Sequence, residues 1–285
     1  MKRLIGAIVL PLLIGLDATG QVGANGTIIV IYSSQNEIVF AADSRVAFGD
    51  SYSDKDCKIR ALGGKVLFAA SGRGGQRNKI THVYSWDANT FARNAFVGIV
   101  KKGASQHIAD QLASAWGIAM KRQLEQDIAA DRSLAFANTE NDGTIALGAF
   151  ADFEKDGTFL IVVERLVYEV ATNGAIAVKA FVDYKTTSQS SPYYMGKGEI
   201  AREAYAHQTP RSKEWQRDFD MGSRFSADPV VFATKYFVSL TIDNYPAMRT
   251  DSKGTPFSIV GGPIAVARLT TKGVEWIEKG NCPQK

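Results

Sequence analysis

Apolar residues run almost unbroken through Thr27–Tyr32 and again through Ile38–Ala42, with the polar stretch Ser33-Ser34-Gln35-Asn36-Glu37 between them. Two β-rich runs closed around a polar turn predict a hairpin. Lys65 to Ala70 is a further strand, entered through the turn signal Gly63-Gly64. From Ser105 to about Asp131 the periodicity changes: Ile108, Leu112, Trp116 and Met120 recur every four residues and so share one face of a helix. A second group of strands follows at Thr144–Phe150, Thr158–Val163, Leu166–Val170 and Ala175–Phe181, punctuated by Lys155-Asp156-Gly157 and Thr172-Asn173-Gly174. Helices are expected near Gly198–Tyr205 and from Asp228-Pro229, where Asp can cap and Pro suits the first turn, to about Thr241. The chain closes with β-rich runs at Phe257–Val260, Ile264–Leu269 and Val274–Ile277. The segment Arg73–Lys102, rich in Gly, Asn and Arg at its start, reads as an insertion of undefined structure. The order strands, helix, strands, helices, strands lacks the strict alternation of a parallel α/β sheet. It predicts an α+β fold of two packed antiparallel sheets between helical layers, in one domain from about Thr27 onward.

Composition narrows the function classes. With 45% hydrophobic residues in 285 the chain can bury a sizeable core. The net charge of +4 comes from basic residues interleaved with acidic ones, so no stripe suited to a phosphate backbone emerges and no nucleic-acid partner is expected. Met1-Lys2-Arg3, the apolar run Leu4–Leu16 and the small residues Val22-Gly23-Ala24 have the layout of a secretory leader. That predicts a signal peptide over 1–24, a secreted or periplasmic protein and no membrane association after leader removal; a membrane anchor or a buried N-terminal strand is the competing interpretation. Only Cys57 and Cys282 occur, and the sequence leaves open whether they pair or stay as buried thiols. His82, His107 and His207 show no metal-ligand spacing, and neither a cofactor nor a metal is expected.

The chemistry-bearing positions form a series. Gly26-Thr27 precedes the first strand of the hairpin, Asp43-Ser44-Arg45 closes the second, Lys58 enters the next strand ahead of Ile59-Arg60-Ala61-Leu62, and Phe68-Ala69-Ala70-Ser71-Gly72 follows. This series resembles the proteasome β-type branch of the N-terminal nucleophile (Ntn) hydrolases. The resemblance implies a four-layer αββα Ntn-hydrolase sandwich, with cleavage of the Gly26–Thr27 bond making Thr27 the first residue. It divides the chain into the leader at 1–24, a short propeptide at 25–26 and the hydrolase domain at 27–285. Ala24 and Gly26 are then the processing positions, Gly26 by self-cleavage at the Gly-Thr bond.

The chemical logic is that a threonine hydroxyl is a weak nucleophile until a neighbouring base takes its proton, and the freed α-amine of the same residue can do so. An ammonium on Lys58 would keep that amine neutral, Asp43 would hold Lys58 charged and oriented, and Arg45 would brace the loop. The N–H of Gly72 would face the carbonyl oxygen as charge develops, an interaction worth roughly 3 kcal/mol in other enzymes. Two departures stand in the C-terminal half. Lys197, in Tyr194-Met195-Gly196-Lys197-Gly198, takes the place of a serine that supports the amine. Phe257 and Val260 stand where an Asp and a Ser precede the family's double glycine, here Gly261-Gly262, and Ser258 lies nearby out of register. The implied substrate is a peptide or a small amide, and assembly into a homo-oligomer fits the family. An inactive binding or assembly module, or a small-amide acylase, are the alternatives.

Overall fold

The computed structural model describes residues 21–23, 26–78, 83–104, 106–132, 143–188, 191–206 and 208–282. Positions 1–20, Ala24, Asn25, His82 and His207 lie outside the described residues. The strands are β1 (Gln21–Gly23), β2 (Ile28–Ser33), β3 (Ile38–Ala42), β4 (Val46–Phe48), β5 (Ser51–Ser53), β6 (Ile59–Leu62), β7 (Val66–Gly72), β8 (Gly75–Asn78), β9 (Tyr84–Asp87), β10 (Thr144–Phe153), β11 (Phe159–Val170), β12 (Ile176–Thr186), β13 (Tyr193–Gly196), β14 (Arg249–Thr250), β15 (Pro256–Phe257), β16 (Ala265–Thr270) and β17 (Gly273–Glu278). The helices are α1 (Ala88–Lys101), α2 (Ile108–Ala130), α3 (Glu199–Ala206), α4 (Pro210–Phe225) and α5 (Pro229–Asn244).

Two five-stranded antiparallel sheets organise the chain into an α+β fold. One has the order β12-β11-β10-β7-β6 and the other β13-β2-β3-β16-β17. The near-continuous apolar runs have a simple cause: these strands are covered on both faces, so residues of either parity are buried. Along β2, Ile29 and Ile31 face the other sheet, where they meet Leu67, Ala149 and Ile161 in one apolar cluster. Ile28 and Val30 face the opposite way, toward Phe237 and Val238 of α5. Along β7, Leu67 and Ala69 join the cluster between the sheets, whereas Val66 and Phe68 pack with Leu112, Trp116 and Met120 of α2. The four-residue apolar period of α2 is thus satisfied by the face of the first sheet.

Several expectations are adjusted by the structure. The segment 73–102 carries the hairpin β8–β9 and then α1, whose start is set by Asp87 accepting a hydrogen bond from the Thr90 amide. The two runs at 158–163 and 166–170 form the single strand β11; the polar pair Glu164-Arg165 interrupts the apolar pattern but not the backbone pairing, which absorbs it as a bulge against β12. The run at Phe257–Val260 contributes only β15. Helix α4 has no counterpart among the predicted elements, because it is largely polar and its only buried residues are Ser212 and Trp215. Its caps are nevertheless in the sequence: Thr209 and Ser212 form a reciprocal capping box and Pro210 opens the helix. Cys57 and Cys282 are joined as a disulfide, with Cα atoms 4.7 Å apart. No helix among the described residues is long and apolar enough to cross a membrane.

Candidate active site

The hairpin β2–β3 decides the first half of the site. Ile29 lies opposite Ala42, so the residues just outside the ladder, Thr27 before β2 and Asp43 after β3, emerge at the same end of the second sheet. Asp43 is held there by backbone: its amide donates to the Ile28 carbonyl at 3.2 Å, and its Oδ1 accepts from the Ile28 amide at 2.9 Å. Its Oδ2 accepts from the Gly261 amide at 2.9 Å, so the carboxylate reaches across to the loop before β16.

Lys58 comes from the other sheet, immediately before the edge strand β6. Its Nζ donates to Asp43 Oδ1 at 2.7 Å and to the carbonyl of Gly26 at 2.8 Å, and also to the carbonyl of Arg45. The ammonium therefore bridges the two sheets and points at the Gly26–Thr27 junction. Thr27 Oγ1 donates to that same Gly26 carbonyl. Thr27 and Lys58 are each 6% exposed and Asp43 1%. Burial pushes the Lys58 ammonium below its ordinary pKa, opposed by the neighbouring Asp43 carboxylate. Burial likewise raises Asp43, opposed by Lys58 and by the amides of Gly261 and Ile28. Two desolvated partners hydrogen-bonded to each other and to backbone form an ion pair whose geometry has little freedom.

Arg45 braces the loop between β3 and β4 from its solvent side. Its guanidinium grips Asp54 through a fork, Nε to Oδ1 at 2.6 Å and Nη2 to Oδ2 at 2.8 Å, donates from Nη1 to the Ser258 carbonyl at 3.2 Å and lies 4.2 Å over the Tyr52 ring. Two glycines are required by close approach. Gly26 has φ +91°, and a Cβ there would lie 2.1 Å from the Ile259 carbonyl oxygen. Gly196, at φ +72°, packs so tightly on the Thr27 carbonyl that a Cβ would come within 2.2 Å of it.

A cavity of about 180 Å³ opens beside these groups, lined by Gly26, Thr27, Lys58 and Gly72 together with Tyr84 and Asp87 of the β8–β9 hairpin. Gly72 thus stands in the same cavity as the threonine, at the end of β7.

No protein-family model matches the chain, and no curated protein matches it significantly. Among solved structures, the Gly-1 mutant of Anbu from Hyphomicrobium sp. strain MC1 is similar over 89% of this chain and 86% of that one, at 11% identity and a TM-score of 0.42. A likeness at that score carries no argument about function.

The structure brings Gly26, Thr27, Asp43, Lys58 and Gly72 to one place and puts Arg45 behind it. Lys197 meets Thr27 only through backbone, its amide donating to the Thr27 carbonyl at 2.7 Å. Ser258 offers its carbonyl to Arg45 and its Oγ to the Val260 amide. Phe257 packs against the Tyr52 ring, and Val260 belongs to the apolar cluster of the second sheet and its helices.

Other residues of the site had no marker in the sequence. Asp54, the partner of Arg45, lies in a polar loop where any acid looks solvated. Arg73, next to Gly72, is 1% exposed and pairs with Asp127 of α2 at 2.9 Å. The disulfide at Cys57 adjoins Lys58 directly, and Cys57 itself reaches the cavity wall.

Proposed function

We propose that this chain is an exported N-terminal threonine hydrolase, built on a four-layer αββα Ntn-hydrolase sandwich, that cleaves peptide or related amide bonds with Thr27 as nucleophile. One observation carries it: a buried ammonium, Lys58, held by Asp43 at 2.7 Å and aimed at the Gly26–Thr27 junction at 2.8 Å from the Gly26 carbonyl oxygen.

In maturation, Thr27 Oγ adds to the Gly26 carbonyl carbon while Lys58 stabilises the oxygen that gains charge. The C–N bond then breaks, the Thr27 nitrogen takes up the hydroxyl proton, and an ester remains. Water hydrolyses the ester, releasing a Gly26 carboxylate and a free Thr27 amine and hydroxyl. In turnover the neutral amine takes the Oγ proton as Oγ attacks a substrate carbonyl, and the departing amine receives it. The positive charge of Lys58 disfavours a second positive charge on the α-amine and so keeps it a base at neutral pH. Water clears the acyl-enzyme in a second step. Residues 1–24 act as the export leader, and loss of Asn25-Gly26 completes the mature end.

Intact-mass measurement of secreted protein tests this. Thr27 is expected to be the first residue, and Thr27→Ala and Lys58→Ala are each expected to retain Gly26 and to lose peptidase turnover by at least ~10³-fold. A product beginning upstream of Thr27 with no turnover by the unaltered chain would replace the hydrolase with a binding module.

A further inference from the structure

Another cavity, of about 500 Å³, opens where β12, the edge of the first sheet, meets β13, the edge of the second. Helix α3 closes it with Arg202 and Tyr205. It shares no lining residue with the cavity at Thr27. Its charges do not cancel. Asp183 is the only carboxylate among its described lining residues, and both oxygens are engaged: Arg165 Nε lies 3.1 Å from one and the Tyr193 hydroxyl donates to the other. Arg202 is left over. Its amide donates to the Gly198 carbonyl at 2.9 Å, but its guanidinium has no ion-pair or hydrogen-bond partner among the described residues. Tyr194 is a second unmatched donor, its hydroxyl oxygen buried without a hydrogen-bond partner. Burial, with Tyr205 and Tyr32 nearby, raises the Tyr194 pKa against the pull of Arg202, so that oxygen keeps its proton. Gly198 lets the two residues share one space: a Cβ there would lie 2.7 Å from Tyr194 Cβ and 3.3 Å from Arg202 Nη1.

We propose that this cavity is a binding site for a small organic carboxylate bearing an aromatic ring, the carboxylate held in the fork of Arg202 and by the Tyr194 hydroxyl, the ring lying among Tyr193, Pro192 and Tyr205. An unmatched buried donor is a cost that an acceptor brought by a ligand removes, and a guanidinium fork matches a carboxylate in shape as well as charge. The rings that would receive the ligand are already oriented. Tyr193 stacks on Tyr184 with centroids 4.7 Å apart, and the Tyr205 hydroxyl donates to Ser191 Oγ at 3.1 Å. Walls fixed before binding leave less ordering to be done on binding. The volume suits a molecule of that size. Asp183 works against a more highly charged anion such as phosphate, because one unpaired guanidinium balances one negative charge and a second would face that carboxylate. The site goes beyond the hydrolase proposed above and does not depend on Thr27 as nucleophile.

Calorimetric titration of the full chain carrying Thr27→Ala, a background without the nucleophile, tests it with 3-phenylpropanoate, its neutral amide, acetate and inorganic phosphate as probes. Saturable one-to-one binding of 3-phenylpropanoate is expected, with the amide and acetate each at least ~10-fold weaker, the first for want of the charge and the second for want of the ring. On the same background Arg202→Gln and Tyr194→Phe are each expected to weaken 3-phenylpropanoate by about 10-fold. Arg224→Gln, which makes the same change of charge on α4, is expected to leave its affinity unaltered. Arg202 is exposed, and Tyr194→Phe deletes only an unmatched hydroxyl, so both variants are expected to melt as the parent does. Should either fail to fold, the comparison of acid with amide on the parent decides. No saturable binding of 3-phenylpropanoate, equal affinity for acid and amide, phosphate bound as tightly as 3-phenylpropanoate, or parental affinity in folded Arg202→Gln would each overturn the proposal.

Discussion

Two buried sites among the described residues accommodate charge in different ways. Lys58 and Asp43 neutralise each other, and Asp43 is further satisfied by two backbone amides. Glu164 takes the other route. It lies on β11 against α2, where Gly117 leaves it room: a Cβ on that glycine would come within 2.7 Å of its carboxylate. Burial raises the Glu164 pKa to about 7. Between the ordinary carboxylate range and pH 7 the folded chain holds a proton there that the unfolded chain has released. Folding therefore takes up a proton, and stability falls as pH rises through that window. Glu164→Gln is expected to flatten the decline in melting temperature between pH 5 and pH 8, with a gain on the order of 2 kcal/mol at the alkaline end after allowance for solvent screening. Calorimetry across that range checks it, and an unchanged slope would mean that Glu164 is not the group responsible.

At the level of elements, near-continuous apolar runs bounded by turn residues predict the sheets, whose central strands are buried on both faces, and the four-residue period of α2 predicts the long helix, which buries one. Where burial is sparse, as along the polar helix α4, few apolar residues stand out and the capping chemistry is the clearer mark of the helix. The loop after β7 depends on a contact that no local pattern contains: Arg73 follows Gly72 directly and pairs with Asp127 of α2, 54 positions away. That ion pair couples the end of the strand carrying Gly72 to the helix packed on its sheet. Asp127→Ala would leave a buried guanidinium without its carboxylate, and an unfolding free energy lower by about 3–5 kcal/mol is expected in urea titration. A loss below about 1 kcal/mol would show that the region relaxes without cost.

Across the whole molecule, the Cys57–Cys282 bond ties the last described residues to the strand entry that bears Lys58, closing a loop of 225 positions. A bridge of that span restricts the unfolded chain strongly, and its removal typically costs about 2–5 kcal/mol. Cys282→Ser is expected to lower the melting temperature by several degrees, and reductant is expected to do the same to the unaltered chain and nothing further to the variant. Equal melting with and without reductant would show that the bond adds no stability. Because the bridge sits one residue from Lys58, turnover by the variant is expected to fall alongside stability.

By itself the sequence determined the local order: the hairpin, the α2 face, the strand-rich composition, and the meeting of Thr27 with Asp43. These rest on interactions between residues close in the chain, whose geometry apolar runs, turn residues and a four-residue helical period already specify. Only the tertiary structure decided that Lys58 crosses from one sheet to the other, that Cys57 meets Cys282, that Arg73 finds Asp127 and that Gln21–Gly23 lies along β8. Such contacts join segments far apart in sequence, and which segments meet is settled by how the two sheets and their helices pack to bury both faces of every central strand.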